Sequence, residues 1–173
     1  MITIISSTNR EQSYTYKVAL FYSKLLDKIY VEHQIFDLRD LPTDFIFSDF
    51  DESTTDDFVN QVHQYIYRAD RFIIISPEYH GSYPGIFKAF IDCIGNDGIQ
   101  EKKVALVGVS TGRAGNLRGL DHLSALFHHL RAEVYSSKTK LSLIHKLFND
   151  HDILDDPKTL KLINNQINGF LTF

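Results

Sequence analysis

The chain has 173 residues, with 18 lysines and arginines against 22 aspartates and glutamates, which gives a formal net charge of −4. This length favours a single domain over residues 1–173, and the mild charge argues against a nucleic-acid partner or an anionic membrane surface. The single cysteine, Cys93, excludes an internal disulfide and a multi-cysteine metal site. The longest aliphatic runs are far shorter than the roughly 20 residues that cross a bilayer, and the first residues lack signal-peptide features. We therefore expect a soluble, cytoplasmic protein without a membrane partner.

Short β-branched runs alternate with segments of helical spacing along the chain. The run at 2–5 predicts a buried strand, and the runs at 72–75 and 104–109 are apolar on both faces, as parallel strands covered by helices on both sides are. Weaker strands are predicted at 33–38 and 131–135. Seven acidic residues between 40 and 57 indicate a solvated connection. Pro84 is expected at the first position of the third helix. The predicted buried helix faces consist of Val18, Phe21, Tyr22, Leu25, Leu26 and Ile29; Phe58, Val62, Tyr65, Ile66 and Ala69; Ile86, Phe87, Phe90, Ile91 and Ile94; Leu117, Leu120, Leu123, Phe127 and Leu130; Leu160, Ile163, Ile167, Phe170 and Leu171.

Repeated strand–helix alternation predicts right-handed crossovers and a parallel sheet with helices on both faces. Five strands in a chain of this length favour the flavodoxin-like α/β order 2-1-3-4-5, a three-layer sandwich. Ligands of such folds bind beyond the carboxyl ends of the strands, at the switch point between strands 1 and 3. The loops that follow Ile5, Ile75 and Val109 are therefore the candidate functional loops.

The first two of these loops carry unusual polar sequences. Residues 6–15 offer hydroxyls, backbone N–H groups and Arg10 at the start of a helix, which suits a phosphate, although a polar turn with Ser13 as the helix cap explains them as well. Residues 76–85 contain two prolines and two glycines, which fix the backbone path and bring main-chain N–H groups close to a ligand. A donor-rich loop flanked by aromatic residues suits a flat heterocycle.

The third loop, residues 110–116, is again a glycine-rich turn between a strand and a helix, with Arg113 available to face an anion. Together with Gly108 it also forms Gly-x-Ser-x-Gly, the nucleophile elbow of a hydrolase, for which Asp121 and His145 or His151 are nominal partners. The hydrolase alternative is weaker because it gives the first two loops no role.

The motifs in these loops resemble those of the NADPH-dependent FMN reductase family. Residues 6–15, Ser-Ser-Thr-Asn-Arg-Glu-Gln-Ser-Tyr-Thr, resemble its phosphate loop, and residues 77–92, which begin Pro-Glu-Tyr-His-Gly-Ser-Tyr-Pro-Gly, resemble its Pro-Glu-Tyr-Asn-Gly-Ser-x-Pro-Gly hallmark. The turn at 110–115 matches as well, so the similarity extends over nearly the whole chain. Two residues depart from the pattern, because Ser6 replaces a glycine and His80 replaces an asparagine.

The resemblance implies a tightly held FMN cofactor, with NADPH or NADH as co-substrate and a small-molecule electron acceptor such as a quinone, a flavin or an azo compound. It implies ping-pong hydride transfer through N5 of FMN, so no side chain is named as a catalytic acid, base or nucleophile, and Arg113 has at most an electrostatic role. It also suggests a homodimer or homotetramer. The implied cofactor-binding residues are Ser7, Asn9, Arg10, Ser13 and Thr15 at the phosphate, with Tyr14 as a candidate for stacking, and Pro77, Glu78, Tyr79, His80, Gly81, Ser82, Ser110, Gly112 and Arg113 around the isoalloxazine.

Two other functions remain open from the sequence. A flavodoxin-type electron carrier would share the fold, and a flavin-binding module would bind the cofactor without turnover; the mild charge and the hallmark favour the enzyme. The eight histidines include no helical i, i+4 pair and have no cysteine companion, so we expect no metal. Cys93 is expected to be a small buried hydrophobic residue.

Overall fold

A computed structural model of the chain describes residues 1–47 and 57–173. The predicted acidic connection therefore falls partly outside the described residues, which include only its two ends. None of the described helices combines the length and apolar character needed to cross a bilayer.

Strands and helices alternate along the chain, as predicted. The strands are β1 (Ile2–Ser6), β2 (His33–Asp37), β3 (Arg71–Pro77), β4 (Lys103–Val109), β5 (Glu133–Val134) and β6 (Thr139–Leu141). The helices are α1 (Tyr14–Lys28), α2 (Asp57–Val62), α3 (Gly85–Ile94), α4 (Leu117–His129) and α5 (Pro157–Thr172), and α2 continues into a π-helical turn at His63–Tyr67.

The sheet is parallel, with the order β2-β1-β3-β4-β5, which confirms the flavodoxin-like prediction. The predicted fifth strand at 131–135 is wrong in its extent, because β5 pairs with β4 over two residues and β6 pairs farther along the same edge of β4. Tyr135 follows β5, and its N–H still donates to Val104 O of β4 at 2.8 Å while its ring packs against Phe170 and Phe173; the chain rejoins β4 at β6.

Two apolar clusters cover the two faces of the sheet. Phe72 and Ile74 of β3 point into the cluster formed with α2, α3 and α4, whereas Ile73 and Ile75 point into the cluster formed with α1 and α5. Because both faces are covered by helices, β3 is apolar at successive positions, which is the pattern that the sequence shows.

Three predictions for the ends of helices differ from the structure: the position of Pro84 in α3, and the burial of Ile29 and Leu117. Pro84 is the extended N-cap of α3 and not its first helical residue. Ile29 is 46% exposed because α1 has ended at Lys28. Leu117 is also 46% exposed, because it is the first residue of α4, and the buried face of this helix begins at Gly119 and Leu120.

Candidate functional site

The loops after β1, β3 and β4 meet at the carboxyl edge of the sheet. Backbone hydrogen bonds join them: Ser7 N donates to Ile75 O at 3.0 Å, and Glu78 N donates to Val109 O at 3.0 Å. A cleft of about 250 Å³ opens between the loops. It is lined by Arg10, Glu11, Gln12, Ser13, Tyr14, Thr15, Pro77, Glu78, Tyr79, Val109, Ser110 and Thr111. The three loops selected from the sequence thus form one cleft at the switch point between β1 and β3.

The first loop combines a helix cap with buried hydroxyls. Ser13 Oγ accepts the N–H of Tyr16 at 3.2 Å, so the capping role considered from the sequence is present. In the described part of the chain, however, Ser6 Oγ and Ser7 Oγ are buried without any hydrogen-bond partner. An unsatisfied buried polar group costs about 1–3 kcal/mol, so a turn built only for capping leaves these hydroxyls unexplained. Both hydroxyls lie at the carboxyl end of β1, in the same loop as the N-terminus of α1, and together with the N–H groups of that helix end they make the loop fit a phosphate group.

Arg10 and Tyr79 connect the first loop to the second. The Arg10 guanidinium carbon lies 4.0 Å from the centroid of the Tyr79 ring, and Thr8 Oγ1 lies 2.7 Å from the Tyr79 hydroxyl. A cation over an aromatic face is held by the ring quadrupole while its N–H groups stay available. Arg10 is exposed, so its charge remains at the mouth of the cleft.

The second loop contains a tight two-residue turn. Tyr79 and Ser82 exchange both backbone hydrogen bonds, at 2.9 and 3.0 Å, and the residues between them, His80 and Gly81, have φ angles of +52° and +76°. Asn and His are both enriched at positive φ among non-glycine residues. His80 in place of the family's asparagine therefore keeps the backbone of the turn, although it presents a different side chain.

The lysine and aspartate that follow the hallmark turn lie on the surface of α3. Lys88 Nζ contacts the two carboxylate oxygens of Asp92 at 2.6 and 2.8 Å, and this hydrogen bond is the main reason that the pKa of Lys88 is raised. Both side chains are about half exposed, so this i, i+4 pair contributes only about 0.3–0.5 kcal/mol. This part of the motif stabilises the helix and does not line the cleft.

The third loop is folded around Ser110. Its hydroxyl donates to Gly112 O at 2.9 Å and accepts the N–H of Gly115 at 3.0 Å. The hydroxyl proton is thus directed at a backbone carbonyl and not at a histidine base, which argues against the nucleophile-elbow alternative.

Asn116 ties the third loop to the second and was not predicted from the sequence. Its buried Nδ2 donates to Ser76 O at 3.0 Å and to Pro77 O at 3.1 Å. Its φ of +62° lies in the left-handed region, which asparagine tolerates better than most residues. The sequence did contain a signal for this turn, because an asparagine that directly follows a glycine before a helix is typical of a left-handed backbone position.

The predicted residues fall into two groups. Arg10, Ser13, Tyr14, Thr15, Pro77, Glu78, Tyr79 and Ser110 line the cleft. The other predicted residues do not line the cleft. Ser7 is buried in the first loop, and Asn9 lines an adjoining groove with Arg39 and Asp40. The hallmark turn contains His80, Gly81 and Ser82, and the exposed part of the third loop contains Gly112 and Arg113.

Two basic residues of α4 were missed. His122 Nδ1 lies 2.9 Å from Ser82 Oγ, and the Arg118 guanidinium packs against Gly81. Their i, i+4 spacing was visible in the sequence, but their approach to the hallmark turn depends on how α4 packs. Within residues 1–47 and 57–173, no group of three His, Cys, Asp or Glu side chains is arranged to hold a metal.

The chain is similar to known reductases in sequence and in fold. The chain is 27% identical over 174 residues to the NADH:(hydroxy)cinnamate reductase subunit CrdA of Vibrio ruber, covering 98% of this chain and 84% of that protein. It is 29% identical over 134 residues to the FMN-dependent NADPH-azoreductase of Staphylococcus aureus, covering 73% of this chain and 69% of that protein. The solved structure of FerB, a flavoenzyme NAD(P)H:(acceptor) oxidoreductase from Paracoccus denitrificans, has the same fold, with a TM-score of 0.80 and 23% identity over 99% of this chain and 94% of that one.

The family model for NADPH-dependent FMN reductases matches residues 1–142. This match confirms the resemblance inferred from the loop motifs, and with it the predicted oxidoreductase class, the FMN cofactor and NAD(P)H as the electron donor. The chain belongs to the NADPH-dependent FMN reductase family.

Proposed function

We propose that this protein takes hydride from NADPH or NADH and delivers two electrons to a small acceptor, a quinone, a free flavin, an azo compound or a similar molecule. The observation that carries the proposal is the cleft where the loops after β1, β3 and β4 meet. A ping-pong scheme suits this cleft, because donor and acceptor would use the same opening in turn. The relatives named for hydroxycinnamate and azo substrates support a small aromatic acceptor.

The first loop would hold the FMN phosphate. Ser7 supplies a buried hydroxyl without another partner, and Arg10 supplies a positive charge at the cleft mouth. The start of α1 adds N–H groups that have no partner within the helix, together with the positive end of the helix dipole. The residues assigned to the phosphate are Ser7, Asn9, Arg10, Ser13 and Thr15.

The second and third loops would hold the isoalloxazine ring. When bound, FMN supplies the two-electron hydride chemistry, which no protein side chain can provide. The N–H groups of Tyr79 and Ser82 are used within the hallmark turn, which fixes the backbone of His80 and Gly81 between them before binding. The N–H groups of these two residues would therefore stabilise negative charge on a ligand without reorganising. The residues assigned to the ring are Tyr14, Pro77, Glu78, Tyr79, His80, Gly81, Ser82, Ser110, Gly112 and Arg113.

The mixed charge around the cleft favours an enzyme over an electron carrier. Carriers of the flavodoxin type usually present a strongly acidic face to their partners, whereas here Glu11 and Glu78 share the cleft lining with Arg10, and Arg113 and Arg118 are exposed on or beside the third loop. Exposed cations suit an anionic dinucleotide. We also propose that residues 1–173 act as one cytoplasmic FMN-binding domain, assembled as a homodimer or homotetramer, without a nucleic-acid or membrane partner.

An anaerobic spectroscopic experiment tests the proposal. The purified protein is loaded with FMN, its visible absorption spectrum is recorded, and NADPH or NADH is added without oxygen. We expect the oxidised-flavin band to disappear with at least one donor and to return when a quinone is added. A protein that retains no FMN, or a spectrum that neither donor changes, contradicts the proposed function.

A further inference from the structure

Arg118 and His122 lie one turn apart on α4 and border the hallmark turn. His122 Nδ1 is 2.9 Å from Ser82 Oγ, which fixes the imidazole beside the turn. When Nδ1 accepts the hydroxyl proton of Ser82, the other ring nitrogen carries the proton and is available as a second donor. Both residues are exposed, so they remain accessible to a molecule that enters from solvent.

The Arg118 guanidinium lies against the backbone of Gly81. A Cβ atom at Gly81 would lie 3.1 Å from Arg118 Nη2 and 3.3 Å from Cζ, so a larger residue would push the guanidinium away. The positive φ of +76° at Gly81 independently favours glycine. The guanidinium therefore lies along the backbone of the turn assigned to the isoalloxazine ring.

The charge of Arg118 is not compensated within the described part of the chain, where it forms no ion pair. Asp121, on the same helix, is engaged by Lys138 Nζ at 3.2 Å. A guanidinium that lies against the hallmark turn and has no carboxylate partner among the described residues is well suited to a phosphate, because its parallel N–H groups match two phosphate oxygens.

We propose that Arg118, assisted by His122, binds a phosphate group of the dinucleotide donor. The proposal rests on the proposed function, since the nicotinamide must reach a ring held at the hallmark turn while the phosphates of the same molecule extend along its border. NADPH carries two such sources, the diphosphate bridge shared with NADH and the 2′-phosphate that NADH lacks.

The test compares Arg118→Gln and Arg118→Lys with the wild type, all loaded with FMN. Arg68→Gln is the matched control, because Arg68 is an exposed arginine that precedes β3 at the opposite edge of the sheet. KM and kcat are measured with NADPH and with NADH, and the dissociation constants of NADP⁺ and NAD⁺ are measured by calorimetry. Loss of one charge-assisted contact is expected to weaken binding by about tenfold or more in Arg118→Gln, with partial recovery in Arg118→Lys.

The two phosphate sources give different results. If the 2′-phosphate is bound, only NADPH and NADP⁺ weaken; if the diphosphate is bound, NADH and NAD⁺ weaken as well. Either result, with kcat and FMN affinity close to wild type and Arg68→Gln unchanged, supports the proposal.

Three results for Arg118→Gln would overturn the proposal. The first is an unchanged KM and unchanged dissociation constants, and the second is a changed native mass with dinucleotide affinity intact. The third is a weakened affinity for FMN that itself accounts for the lost activity. Failure of the proposed function is a separate outcome, because the wild type itself would then oxidise neither donor.

Discussion

Asn116 provides a sharp test of how the second and third loops are held together. In Asn116→Ala, the carbonyls of Ser76 and Pro77 lose their amide donor, and alanine is left at a φ of +62°. Two hydrogen bonds at about 1 kcal/mol each and a left-handed backbone cost of about 1 kcal/mol give a destabilisation of roughly 3 kcal/mol. Asn116→Gly removes the same hydrogen bonds without the backbone cost, so it should lose only about 2 kcal/mol.

Urea unfolding followed by circular dichroism measures these losses. With a slope of about 2 kcal/mol per molar urea, the midpoint of Asn116→Ala should fall by about 1.5 M. FMN affinity should fall as well, because Pro77 lies in the cleft and would lose its anchor. A midpoint unchanged within about 0.2 M would refute the reasoning.

Gly119 gives the internal control for Asn116. A Cβ atom at Gly119 would lie 2.0 Å from Asn116 Oδ1, so Gly119→Ala should displace the amide and destabilise the protein. In the Asn116→Gly background that clash is absent, and Gly119→Ala should cost little. The two substitutions should therefore couple strongly in a double-mutant cycle, and additive effects would contradict the contact.

Three further substitutions test the packing of the glycine positions and of the buried Tyr22. Gly108→Ala should lower the thermal unfolding temperature sharply, because a Cβ there would lie 2.2 Å from the backbone oxygen of Gly115, whereas Gly85→Ala, with no atom within 4 Å, should be neutral or stabilising. Tyr22→Phe should cost about 1–2 kcal/mol in urea unfolding, because it leaves Gln166 Oε1 without its 2.7 Å donor. Burial raises the pKa of Tyr22, so above a pH of about 10 the folded state keeps a proton that the unfolded state releases. The free energy of unfolding of the wild type should therefore fall as the pH rises above about 10. In Tyr22→Phe the part of this fall that comes from Tyr22 should be absent.

The sequence predicted the centre of the fold well and its edges less well. The run at 72–75 identified β3 because it must be apolar on both faces, and parallel connectivity then brought the three loops to one edge. The extent of β5 was predicted less well, because this edge of β4 is shared between a two-residue strand and β6, a division that the local sequence pattern does not reveal. Leu117 continued the apolar spacing of α4 in sequence, but it is the first residue of that helix and is 46% exposed.

The candidate site shows the same division. Local motifs identified Arg10, Tyr79 and Ser110, because each lies in a loop whose position follows from strand order. Asn116 and Arg118 act through contacts across loops, and such contacts depend on side-chain reach that spacing alone does not reveal.

Comparison of FMN with riboflavin tests the central claim most directly, because the two ligands differ only in the phosphate assigned to the first loop. Equilibrium titration of the cofactor-free protein should give an FMN affinity about a hundredfold higher than that of riboflavin. Ser7→Ala should narrow that ratio, whereas Ser136→Ala, at an exposed serine between β5 and β6, should leave it unchanged. Equal affinities of the wild type for FMN and riboflavin would contradict the account.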